Sequence, residues 1–152
     1  MNKPILTALS TIAFAQMLKM PIKKWKTGHW DVSVIVETGG MPSSHSAGVT
    51  ALATYIGRKQ GISTIDFALS TVFGLIVMYD AQGIRRQAGE LTLKVNELDE
   101  EVEQLTGEEN VQEHISKQVR LRERLGHQPE EVLGGALLGL ICGFVGYRLF
   151  EN

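Results

Sequence analysis

The chain has 152 residues, 43% hydrophobic and 21% charged, with a formal net charge of −2. That length sets one domain, residues 1–152, and the slight acidity excludes the basic footprint of a general nucleic-acid binder. The single cysteine, Cys142, excludes an internal disulfide, and no Cys/His spacing suits zinc, so neither a metal nor an organic cofactor is expected.

Apolar residues fall in blocks, and charge gathers between about Asn96 and Glu131. Pro4–Met20 is the first apolar run, of helical character. Ala13-Phe14-Ala15 imitates a signal-peptidase site, but only Lys3 precedes the run while Lys19, Lys23, Lys24 and Lys26 follow, the wrong order for a leader. At roughly 16 residues the run is short for a membrane span. Pro21–Thr38 reads as a basic connector. Its Trp25 and Trp30 beside lysines suit a membrane interface, or equally a soluble loop with two half-buried tryptophans. Val32–Val36 has the β-branched content of a short strand.

Gly39-Gly40-Met41-Pro42-Ser43-Ser44-His45-Ser46 opens the next helix, Ala47–Arg58. The glycines allow close backbone approach, Pro42 suits a helix start, and Ser43 and Ser44 are N-cap candidates. A helix N-terminus with free N–H groups and hydroxyls suits an anion such as phosphate, and His45 stands where it can deliver a proton. The alternative is a plain Gly-Pro-Ser helix start with an incidental histidine. Gly61 reads as the stop of this helix.

Ile65–Tyr79 is the next apolar helix, and Asp80, Arg85 and Arg86 follow it. Adjacent arginines point about 100° apart on a helix, so one can meet an anion while the other pairs with an acid; membrane anchoring is the alternative. Leu91, Val95, Leu98, Val102 and Leu105 repeat at 4-3-4-3 among acids, as a short coiled-coil seam or an amphipathic helix folded on its neighbour. After Gly107-Glu108-Glu109-Asn110, Val111–Leu125 is basic from Lys117 to Arg124. The two predict a polar hairpin arm over about 90–126, which could bind a partner or a second copy of the chain. Gly126-His127-Gln128-Pro129-Glu130-Glu131 starts the last helix, Val132–Phe150, uncharged before Arg148. Gly135, Gly139 and Gly143 recur every four residues, a ridge that lets a neighbouring helix approach closely.

Four spans, about Pro4–Lys19, Ser46–Arg58, Ile65–Tyr79 and Val132–Phe150, would put residues 20–45 and 80–131 on one side. That side holds Lys23, Lys24, Lys26, Arg85, Arg86, Lys94, Lys117, Arg120, Arg122 and Arg124, with Lys19 at its edge; the other holds Lys3, Arg58, Lys59 and Arg148. By the positive-inside rule the first side is cytoplasmic. The same topology gathers His45, the Asp80–Arg86 segment and His127 on one face. The second span is too short unless its start dips into the protein, and a soluble bundle with core helices is the competing arrangement. The expected fold is thus all-α, a membrane-embedded bundle of about four apolar helices plus the polar arm. Its expected place is a multi-pass position in the membrane, the plasma membrane if the source is bacterial.

GGMPSSHSA, MYDAQGIRRQAG and LGHQPEEVLGG, in that order, resemble the divergent branch of the type-2 phosphatidic acid phosphatase family over roughly Phe14–Tyr147. The resemblance implies a phosphohistidine mechanism on a lipid or other phosphomonoester. In it His127 attacks phosphorus, Glu131 orients the ring and His45 protonates the leaving oxygen. Ser43 and Ser44, with Lys19, Arg85, Arg86 and Arg122 as cations, would hold the phosphoryl oxygens. The family's upstream Lys/Arg-Pro motif is absent, and the arginine of its third motif falls on Leu121, so activity is a separate question from membership. The alternative is a non-catalytic membrane protein that keeps the anion site and uses its arm for binding.

Overall fold

A computed structural model of the chain describes residues 2–36, 39–106 and 127–151, without the side chains at 36, 84–86, 100 and 103–106. Five α-helices make up the described fold: α1 (Lys3–Thr27), α2 (Ser44–Gln60), α3 (Ile65–Gln82), α4 (Ile84–Thr106) and α5 (Pro129–Glu151). There is no strand among the described residues. Val32–Val36 forms a 3-10 turn. Asp31 sets it, because its carboxylate accepts from the Ser33 backbone and hydroxyl at 3.0 and 2.6 Å. With no second strand among the described residues to pair with, β-branched content alone does not make a sheet.

α1 starts at the Asn2 cap and runs through Pro21 to the left-handed Gly28. The basic connector expected over Pro21–Thr38 is instead helical as far as Thr27. A proline gives up one helical hydrogen bond but keeps a helical φ, so an apolar helix can continue past it. Trp25 and Trp30 at its end are 88% and 61% exposed, which overturns the half-buried loop alternative. Lys23 pairs with Asp31 at 2.8 Å, and Lys24 sits 4.2 Å over the Trp30 ring.

α2 is the innermost helix, packed mainly on α5 and then on α1 and α3. Its buried face is small: Ser44, Ser46, Ala47, Gly48, Ala51 and Tyr55. The glycine ridge of α5 takes a close helix neighbour as expected, and that neighbour is α2. A Cβ on Gly135 would strike the Ser43 carbonyl, one on Gly139 the Ala47 carbonyl and one on Gly143 the Ala51 carbonyl. Both partners advance by four residues, so α2 and α5 run parallel in 4-4 register. α1 and α3 run the other way. Ile12 and Thr7 of α1 lie against Gly48 and Gly146, while Phe67 of α3 lies against Gly57 and Val49 of α2 against Gly74.

Among the described residues, three stretches are long and apolar enough to cross a membrane: Lys3–Thr27, Ile65–Asp99 (which takes in α3 and most of α4) and Pro129–Glu151. The outer faces of α3 and α5 carry exposed Leu69, Phe73, Ile76, Leu137 and Ile141, as lipid contact requires. α2 is not among them. Its 17 residues rise about 26 Å, short of the roughly 30 Å hydrocarbon core, and its neighbours enclose it instead. Within the polar arm, α4 is helical as its heptads predicted, and residues 107–126 lie outside the described residues.

Candidate functional site

Parallel α2 and α5 bring their N-termini to one end of the bundle, where α1 and α3 end. Ser43 is the N-cap of α2, its hydroxyl accepting from the Ser46 amide at 3.4 Å and the Ser46 hydroxyl at 3.0 Å. Ser43 and Ser44 are both buried. At α5, Glu131 reaches back to the Gln128 amide at 3.1 Å, the carboxylate half of a capping box around Pro129. The two starts are joined, since the Ser43 amide donates to the Glu131 carbonyl at 2.9 Å and the His127 amide to Ala81 at the end of α3 at 3.0 Å.

His127 is 2% exposed. Its Nδ1 lies 3.0 Å from Glu131 Oε2, while its Nε2 is buried with no hydrogen-bond partner among the described residues. A carboxylate acceptor at Nδ1 selects the tautomer with the proton there, which leaves the Nε2 lone pair for another atom. His45, in the first turn of α2, faces it edge-on with ring centroids 6.0 Å apart. A single tetrahedral oxyanion placed between the rings can touch both.

Lys19 is the cation the described site supplies. It is 1% exposed, and its ammonium donates to the Gly39 carbonyl at 2.8 Å. The loop turns there at Gly40, whose φ of 90° favours glycine and which lies beside the lysine stem. The Met41–Pro42 peptide that follows is cis. Lys24, the alternative upstream cation, is at Trp30. The side chains of Arg85 and Arg86, and all of Arg122, lie outside the described residues. No group of metal-binding side chains occurs among the described residues. His127, Glu131 and His45 are thus in contact, Ser43 is tied to Glu131 through the backbone, and buried Lys19 and Ser44 lie at the same end of the bundle.

Sequence reasoning missed Ser46, which the cap spacing from Ser43 could have revealed, and Ala81, which acts through its carbonyl and leaves no signal. It also missed a polar knot at the other end. There Glu151 accepts from Tyr55 and Lys59, both at 2.8 Å, with Lys3 at 3.5 Å.

A model of the family described as "Divergent PAP2 family" matches residues 1–142. An uncharacterised membrane protein, YuiD of Bacillus subtilis (strain 168), is 42% identical over 147 residues, which is 95% of this chain and 93% of the relative. No solved structure matches the chain.

Proposed function

The chain belongs to the divergent PAP2 family of membrane proteins, and from that membership we propose that it is a phosphatase. Its substrate would be a phosphomonoester, lipid or soluble, brought to a site on the cytoplasmic side. One observation carries the reading: a buried imidazole whose Nδ1 is held by a carboxylate and whose Nε2 has no partner. Buried polar atoms are rarely left so unless something else binds them.

In this mechanism His127 Nε2 attacks phosphorus and the bond to the ester oxygen breaks. His45 gives its proton to the departing oxygen. Water, losing a proton to His45, then attacks the phosphohistidine, the P–N bond breaks, and phosphate leaves with His127 neutral again. Glu131 stabilises the charged ring between the two steps. Lys19 and the positive ends of α2 and α5 offset the phosphoryl charge. The cytoplasmic orientation rests on the excess of Lys and Arg beyond the site end of the bundle.

The test is release of inorganic phosphate from a panel of phospholipid and soluble phosphomonoesters by detergent-purified protein, beside His127→Ala and His45→Ala. Release that disappears in both variants is expected. No release from the wild type, with vanadate failing to raise its melting temperature, would overturn the phosphate site. That result would favour a second reading, a non-catalytic membrane protein acting through α4, whose Leu91, Val95, Leu98 and Val102 are all exposed.

A further inference from the structure

At the end of the bundle remote from His127, a cavity of about 310 Å³ opens outward between α1 and α5. Thr7, Ser10 and Phe14 form one wall, and Cys142, Gly146 and Phe150 the other. Thr7 is 5% exposed, and its hydroxyl has no hydrogen-bond partner among the described residues. On α5 the groove runs from Ile141 to Phe150, about 14 Å of helix, close to the depth of one leaflet of a roughly 30 Å core. Phe14, its innermost residue on α1, is five residues from Lys19, so the groove starts about 7.5 Å from the site and leads away from it.

Its outer end is cationic. Lys3 donates to the Phe150 carbonyl at 2.7 Å, at the groove's rim. Arg58 and Arg148 stack on Phe144 at 5.1 and 5.5 Å, and no carboxylate pairs with either among the described residues. With Lys59 these make four cations at this end; Glu151 pairs with Lys3 at 3.5 Å and Lys59 at 2.8 Å, and Asp66 is the second acid there, so cations remain in excess.

We propose that the groove between α1 and α5 holds an acyl chain of an anionic phospholipid, in the leaflet opposite His127, with its headgroup at Lys3 and Arg148. A groove about 14 Å long suits an extended hydrocarbon chain, and the cation excess at its outer end favours a negative headgroup over a zwitterionic one. This lipid is a resident of the fold rather than a substrate, and the inference stands on the membrane location alone.

The test is native mass spectrometry of the full chain in detergent with added phosphatidylglycerol or phosphatidylcholine. A one-to-one phosphatidylglycerol adduct is expected, retained in His127→Ala. Ser10→Trp, which fills the groove from an exposed position, should abolish it, and Cys142→Phe should do the same from the facing helix. Lys3→Gln should weaken it about fivefold. Circular dichroism checks that each variant is folded. Equal retention of the two lipids, adducts unchanged in both folded groove variants, or a lipid-free dimer broken by Ser10→Trp would each overturn the proposal.

Discussion

Replacing Glu131 by glutamine isolates what its charge does for His127. The carboxylate accepts from His127 Nδ1 at 3.0 Å and from the Gln128 amide at 3.1 Å. Glutamine keeps an acceptor oxygen for the helix cap, so α5 should keep its start. It loses the charge that stabilises an imidazolium or phosphoimidazole at His127. The histidine side chain is 2% exposed and the glutamate side chain 17%, so solvent screening is small. A hydrogen bond to a charged partner contributes about 1.5–3 kcal/mol, a factor of about 10–150 in rate. Single-turnover phosphate release under saturating substrate reads that factor directly. The melting temperature, measured alongside, should fall far less than in Glu131→Ala, which loses the cap as well. Release within twofold of wild type would refute the assigned role of Glu131, and so would a melting temperature as low as that of the alanine variant.

Gly139→Ala should destabilise, because its Cβ meets backbone of α2 that cannot yield; overpacking of about 1–3 kcal/mol opposes a helix gain of about 1 kcal/mol. Gly74→Ala should be neutral or stabilising in the same thermal assay, since its Cβ would meet only Val49 at an ordinary 3.5 Å. Lys19→Met should weaken vanadate binding by about tenfold or more, whereas Lys24→Met, losing a contact of about 0.5–1 kcal/mol with Trp30, should leave vanadate affinity unchanged. Asp31 is held down to about 2 by the Lys23 ammonium and then Ser33. Its depressed folded value means that its stabilising share is present above the ordinary carboxylate range and fades as pH falls toward 2. Carbon NMR titration should find the low midpoint in wild type and a return to near the ordinary value in Lys23→Gln.

The chain wrote some of this plainly. Ser43 before an apolar, small-residue run marked the start of α2, Pro129 with two acids marked α5, and the four-residue glycine spacing marked a face of α5 for close approach without saying which helix fills it. Other parts needed three dimensions. Lys19 and Lys24 are alike as letters, but five residues turn a helix through about 500°, so they point about 140° apart. Only packing tells which faces Gly39. Pro21 opens a basic stretch that reads as a connector, yet its ring keeps a helical φ and α1 continues to Thr27. Val32–Val36 has strand composition but no strand to join among the described residues. The Ala81 carbonyl that holds His127 has no side-chain signature at all.

The glycine ridge and the candidate site are one device. A residue larger than glycine at position 135 would collide with the Ser43 carbonyl, one turn from where the Ser43 amide meets Glu131 at 2.9 Å. Moving α5 outward by even the width of a methyl group would break that bond and carry His127 away from His45. It would also separate two helix N-termini whose partial positive charges, about half a unit each, act together only when adjacent. The ridge glycines cost about 1 kcal/mol each in helix propensity. That cost makes sense where close approach places a histidine, a carboxylate and two helix dipoles at one point. Close glycine packing also holds helices together in lipid, so the same ridge serves stability and placement at once.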